Sequence, residues 1–140
     1  MTENEISKVI VEGAIDVHRE LGGPGLIESV YEEAMVEELQ TRGLRVERQL
    51  HVPILYKGKP LASPLRLDLK LNGIVLVENK AVTEWNSIFE AQMLTYLRLS
   101  KLKLGYQLWR ALRQKRDSSS RKWFMIFFSA LRLSIFAALR

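Results

Sequence analysis

The feature that most constrains the fold is a pair of strand-like segments joined by Asn72–Gly73. Residues 64–71, PLRLDLKL, place leucine at every second position, so that one face is apolar and the other is charged. Asn-Gly is a strong signal for a tight turn between antiparallel strands. The residues that follow, 74–80, read IVLVENK and are mostly apolar, which is typical of a strand inside a sheet. This stretch therefore predicts a β-hairpin whose second strand is buried.

Helical and strand patterns surround this hairpin. Two amphipathic helices precede it and one follows it, and further strands are predicted on either side. The predicted helices are 4–21, 26–42 and 84–100, and the predicted further strands are 44–56, with Pro53 as an interruption, and 101–109. KGKP at 57–60 is predicted to be a turn. The order α-α-β-β-β-α-β, without an internal repeat, predicts one α/β domain.

Charge is distributed unevenly along the 140 residues. Residues 1–106 hold 13 Lys and Arg against 15 Asp and Glu, whereas residues 107–140 hold 8 against one. The net charge of +5 is therefore no evidence that the body of the protein binds phosphates. The absence of cysteine excludes disulfides and thiolate metal ligands. The N-terminus lacks the basic start and apolar core of a signal peptide, so we expect a cytoplasmic protein.

Three polar residues of the hairpin form the candidate site. Glu78 and Lys80 share one face of their strand, and the hairpin can bring Asp68 beside them. Two carboxylates can hold a hard divalent cation through oxygen, and a lysine can orient or deprotonate an attacking water or stabilise developing phosphate charge. A surface hairpin with solvated charges is the alternative. The apolar run before Glu78 favours a buried site, because buried charges need partners or a metal.

The turn decides whether these residues meet. A two-residue Asn72–Gly73 loop would pair residue 68 with residue 77 and would direct Glu78 to the other face. Pairing Asp68 with Glu78 needs one extra residue, as in a three-residue loop or a bulge. The sequence therefore predicts an odd-numbered or irregular turn if the site is real.

The pattern of an Asp followed by a strand with Glu-x-Lys resembles the PD-(D/E)xK nuclease superfamily. Within it, the spacing Gly25-x-x-Glu28-x-x-Tyr31 resembles the motif that names the GxxExxY family. The spacing Gln92-x-x-x-Tyr96 is similar to the Gln/Tyr motif of the RecB-like branch. The resemblance covers roughly residues 5–106, and its motifs occur in the order that the family has them.

The resemblance implies a restriction-endonuclease-like mixed sheet flanked by helices, and a nuclease that uses Mg²⁺ or Mn²⁺ to cleave DNA or RNA. The implied metal ligands are Glu28, Asp68 and Glu78, and the implied catalytic or positioning residues are Lys80, Gln92 and Tyr96. Gln92 and Tyr96 also share a helix face, although an ordinary packed helix would give the same spacing. For Glu28 the alternative is a carboxylate at a helix N-terminus, favoured by the dipole. A non-catalytic nucleic-acid or protein-binding module on the same fold is the alternative function.

The resemblance stops after Tyr106, where the predicted domain ends and an aberrant basic and apolar tail, 107–140, begins. One permitted back-translation of residues 107–124, read one base later, encodes NFGAPYAKSGIHRVVNG, which resembles the missing family ending. We therefore interpret the tail as the product of a frameshift, a change that can abolish activity. A membrane span or a membrane-surface helix at 123–139 is the alternative; Arg132 makes a span costly, and membrane association is not expected.

Overall fold

The computed structural model describes residues 1–21, 27–82, 86–111, 123–129 and 132–139. The helices within these ranges are α1 (Glu3–Leu21), α2 (Glu28–Thr41) and α3 (Ile88–Ser100). The strands are β1 (Val46–Val52), β2 (Leu55–Tyr56), β3 (Lys59–Pro60), β4 (Leu65–Leu71), β5 (Val75–Val82), β6 (Leu104–Ala111), β7 (Trp123–Ser129) and β8 (Arg132–Leu139).

Six of these strands form one mixed sheet in the order β1-β4-β5-β6-β7-β8, and β2 and β3 form a small separate hairpin. The β5–β6 pair is parallel, and α3 connects its two strands; the other pairs are antiparallel. The predicted fold class, a mixed sheet flanked by helices, is confirmed. The predicted order was incomplete, because the segment 44–56 divides at Pro53 into β1 and β2, and the predicted turn at 57–60 belongs to the β2–β3 hairpin.

Helices lie against both sides of the central strands. The apolar stripe of α1 packs with α2 and with part of the sheet, in a cluster that includes Ile10, Met35 and Val77. A second cluster joins α3 to the sheet through Leu76, Met93 and Leu97. Because β5 contributes to both clusters, its apolar residues alternate between two packed faces. The prediction of a buried central strand is confirmed.

The turn between β4 and β5 contains one residue more than a simple Asn-Gly loop. Leu71 pairs with Val75, so the loop consists of Asn72, Gly73 and Ile74. Asn72 and Gly73 have φ values of 47° and 74°, and the Ile74 N–H donates to the Leu71 carbonyl at 3.0 Å. Continued along the strands, this register places residue 68 opposite residue 78. The prediction of an odd-numbered turn is confirmed.

Regular pairing of β4 lapses at Asp68 on both sides. Toward β1, pairs form before and after the position, but Gln49, which faces Asp68, makes no ladder pair and has a φ of 47°. Toward β5, the ladder ends at Leu69 and Val77. The backbone N–H and carbonyl groups around Asp68 can therefore form hydrogen bonds with side chains. The candidate site lies within the sheet rather than at its end.

The sheet continues into the segment predicted to be an aberrant tail. β6 crosses the predicted boundary at residue 106, and β7 and β8 extend the sheet beyond it. The alternative of a helix at 123–139 was wrong, because the described residues of this segment form strands. Within the described ranges, no helix is long and apolar enough to cross a membrane. The frameshift concerns the gene and stays a prediction.

Candidate metal centre in a cavity beside the sheet

A cavity of about 340 Å³ opens beside β4, β5 and α3. All six residues predicted for the site line it: Glu28, Asp68, Glu78, Lys80, Gln92 and Tyr96. They come from two helices and two strands, so the fold brings together residues far apart in the sequence. The rest of the lining consists of Ile54 before β2, Ser63 and Pro64 between β3 and β4, and Leu65 and Arg66 at the start of β4.

The carboxyl groups of Asp68 and Glu78 are locked against the backbone of the opposite strand. The Asp68 N–H donates to Glu78 Oε1 at 3.0 Å, and the Asn79 N–H donates to Asp68 Oδ2 at 3.0 Å. These reciprocal bonds replace the ladder pairs that the two strands lack here. Only 4% of Glu78 is exposed, so its carboxyl group is held in one position and largely shielded from water.

The pKa of Glu78 is raised from an ordinary value of 4.5 to about 9, chiefly by burial and then by the charge of Asp68. The bond from the Asp68 N–H and the charge of Lys80 act in the opposite direction but do not outweigh these effects. Two carboxylates side by side in a poorly solvated place repel each other, and one retains a proton at neutral pH. A bound divalent cation would remove that repulsion, so the pair is suited to hold one.

Lys80 begins a chain of hydrogen bonds that runs along α3. Its ammonium group donates to Gln92 Oε1 at 3.0 Å, and Gln92 Nε2 donates to the Tyr96 hydroxyl oxygen at 2.8 Å. The Lys80 nitrogen also lies 5.1 Å from the centroid of the Phe89 ring, within range of a cation–π interaction. Burial, followed by the charge of Glu78, raises the pKa of Tyr96. The chain holds the lysine beside the two carboxyl groups.

Comparison with protein-family models matches residues 4–117 to the PD-(D/E)XK nuclease superfamily. The chain belongs to this superfamily. The match covers most of the chain and agrees with the restriction-endonuclease-like arrangement of the sheet and helices. Searches of curated proteins and of solved structures gave no match. The match extends past the predicted boundary at residue 106 and leaves the GxxExxY and RecB-like assignments as predictions.

PD-(D/E)XK nucleases generally use divalent metal ions, and the donors in this cavity fit that chemistry. Asp68 and Glu78 offer carboxylate oxygens, the donors that Mg²⁺ and Mn²⁺ prefer. Glu28 begins α2, is exposed and lines the same cavity. Across the described residues, however, no three Asp, Glu, His or Cys side chains are arranged to hold a metal ion. Glu28 therefore shares the cavity without forming a three-carboxylate cluster.

Two further residues near the centre were not predicted from the sequence. Gln107 on β6 pairs in register with Glu78, is 1% exposed and donates from Nε2 to the Phe89 carbonyl at 2.8 Å. It thereby ties the first turn of α3 to the sheet. Arg66 lines the cavity two residues before Asp68, so the period of the strand was a signal that could have identified it. No comparable local signal marked Gln107.

Proposed function

We propose that the protein is a nuclease that hydrolyses phosphodiester bonds of DNA or RNA with Mg²⁺ or Mn²⁺, and that it acts in the cytoplasm. The observation that carries the proposal is the pair formed by the buried Glu78 and the half-buried Asp68, which shares one cavity with Lys80. A charge is costly to bury, so a cluster of two carboxyl groups and a lysine in one cavity is favoured only where a cation or a charged substrate compensates it. The membership of the chain in a nuclease superfamily supports the same conclusion.

Asp68 and Glu78 would hold the cation, which would counter the negative charge that develops on the phosphate during hydrolysis. Lys80 would orient an attacking water or stabilise the phosphate oxygens. Gln92 fixes the lysine through its carbonyl oxygen, and Tyr96 in turn fixes the Gln92 amide. Because these bonds hold Lys80 in one position, little reorganisation would be needed when substrate binds.

Glu28, which lines the same cavity, would assist the metal directly or through a bound water. The motif Gly25-x-x-Glu28-x-x-Tyr31 and the Gln92/Tyr96 pair support membership of the GxxExxY family and the RecB-like branch. We also propose that residues 1–106 are the nuclease-like domain and that 107–140 is a frameshift product. The nucleotide sequence across codon 107 tests the frameshift: codons that do not encode the family ending in the neighbouring frame contradict it.

The test of the nuclease is cleavage of labelled single- and double-stranded DNA and RNA with Mg²⁺, Mn²⁺ or EDTA. Circular substrates separate internal cleavage from digestion at the ends. We expect Asp68→Asn and Lys80→Ala to lower the cleavage rate at least about 100-fold, because positioned charged groups of this kind contribute that much or more. Lys70→Ala is the matched control, since Lys70 lies on β4 but is not among the described residues lining the cavity.

The second candidate function is a binding module that keeps the fold without catalysis. It is favoured if the folded protein binds nucleic acid but neither metal supports cleavage, and if Lys80→Ala changes nothing. Cleavage that persists in EDTA, or that survives Asp68→Asn, contradicts the proposed metal-dependent reaction. A second protein preparation with the restored reading frame shows whether the C-terminal sequence limits activity.

A further inference from the structure

The β2–β3 hairpin presents an aromatic ring and two cations to solvent. Tyr56 is 61% exposed, and Lys57 and Lys59 are exposed beside it. Lys57 and Gly58 have φ values of 48° and 77°, as a tight two-residue turn requires, and Tyr56 pairs directly with Lys59. Cross-strand partners project to the same side, so Lys59 and the Tyr56 ring form one surface.

The base of this hairpin lies beside the cavity. The Leu61 N–H donates to the Ile54 carbonyl at 2.8 Å and closes the base of the hairpin. Ile54, at one end of that base, lines the cavity, as do Ser63 and Pro64 just beyond the other end. A chain that leaves the cavity on this side therefore passes the exposed face of the hairpin.

The charges around the cavity suit an anionic polymer. Asp68, Glu78 and the exposed Glu28 supply the carboxyl groups of the cavity, where a cation would offset them. The exposed Arg66 also lines the cavity, and Lys57 and Lys59 project from the adjacent hairpin. The Lys57 nitrogen is 5.4 Å from the centroid of the Tyr56 ring, so a cation already lies close to the aromatic surface. Alternating aromatic and basic groups provide stacking for bases and charge for phosphates.

We propose that the β2–β3 hairpin binds a single-stranded or locally unpaired segment of nucleic acid that leads into the cavity. Tyr56 stacks on an unpaired base, and Lys57 and Lys59 contact the flanking phosphates. A base in a continuous duplex has both faces covered by its neighbours, so stacking on Tyr56 requires an unpaired base. The inference deepens the proposed nuclease function, on which its substrate class rests.

The test is fluorescence anisotropy with a labelled single strand and a duplex of equal length, in EDTA so that metal-dependent cleavage does not occur. We expect Tyr56→Ala to weaken single-strand binding by about 5- to 150-fold, whereas Tyr56→Phe stays near the wild-type value because stacking needs only the ring. Lys57→Ala and Lys59→Ala should each reduce the salt dependence of binding by about 0.7 in log–log slope. Lys8→Ala, an exposed lysine on α1, is the control and should change neither.

The outcomes separate this inference from the nuclease proposal. If the wild-type protein cleaves nucleic acid but Tyr56→Ala binds as the wild type does, the hairpin proposal is overturned and the nuclease stands. If the hairpin variants weaken binding but no metal supports cleavage, the hairpin proposal stands and the nuclease fails. The hairpin proposal is overturned if Tyr56→Ala weakens binding to single strands and to duplexes equally, or if the wild-type protein does not bind nucleic acid. Circular dichroism confirms that each variant is folded.

Discussion

Replacement of the buried carboxyl group at Glu78 should change how the stability of the metal-free protein depends on pH. The pKa of Glu78 is about 9 in the folded protein and ordinarily 4.5, because burial and Asp68 oppose its ionisation. Between these values the folded state binds one proton that the unfolded state does not. The stability that this bound proton contributes is complete below about pH 4.5 and is lost as the pH rises toward about 9.

The magnitude follows from this single proton. One proton of difference changes the free energy of unfolding by about 1.4 kcal/mol for each pH unit. Between pH 5.5 and 7.5, which lies well inside this window, the free energy of unfolding of the wild-type protein should fall by about 2.7 kcal/mol through Glu78. Glu78→Gln removes this loss, because the amide has the shape of a protonated carboxyl group but does not titrate.

The assay is urea unfolding in EDTA at several pH values, for the wild-type protein and for Glu78→Gln. The difference between the two free energies of unfolding cancels groups that titrate equally in both proteins. We expect the free energy of unfolding of the variant to increase relative to that of the wild-type protein as the pH rises. Differences that stay constant within about 0.5 kcal/mol from pH 5.5 to 7.5 would refute the argument that Glu78 is protonated in the folded protein.

Three other outcomes are expected. Titration of the protein with Mg²⁺ near pH 7 should release close to one proton from Glu78, measured by calorimetry in two buffers of different ionisation enthalpy; no release contradicts the raised pKa. Glu32→Ala should lower the free energy of unfolding by about 1–3 kcal/mol, because the buried carboxylate accepts bonds from Gln49 at 2.8 and 2.9 Å, whereas the exposed neighbour Glu33→Ala should change it little. Gly105→Ala should cost about 1–3 kcal/mol in urea unfolding, since its Cβ would lie 2.7 Å from a methionine sulfur on α3.

The sequence was informative where local patterns and tertiary structure agree. Alternation along β4 and the apolar run of β5 predicted the buried hairpin, and both are buried. The prediction of a single apolar face on β4 was wrong, because Leu69 and Leu71 pack in the cluster of α1 and α2, whereas Leu65 and Leu67 pack in the cluster of α3. The helical spacing of Gln92 and Tyr96 predicted a shared face, and the two side chains are hydrogen bonded to each other. These features depend on neighbours within a few positions, so one sequence contains enough information to predict them.

Features that depend on distant partners were not predictable in the same way. Gln107 lies beside Glu78 only because β6 lies parallel to β5, a pairing that a crossover through α3 creates. The positive φ of Gln49 likewise has no local signature, because it accompanies the lapse in pairing opposite Asp68 and the contact with Glu32. Glutamine is an ordinary residue in a strand, and only the tertiary structure shows what these two contact.

The turn and the candidate site form one structural unit. Ile74 is the third residue of the loop, and it sets the register in which Asp68 faces Glu78. With a two-residue loop, Val77 would face Asp68, and Glu78 would point into the apolar cluster of α1 and α2, where Val77 now packs. An uncompensated carboxyl group there would cost several kcal/mol. The chemistry of the cavity therefore depends on Ile74, a loop residue outside it. The apolar pattern that buries β5 also requires the register in which Asp68 faces Glu78, and in this way the sequence supports the site.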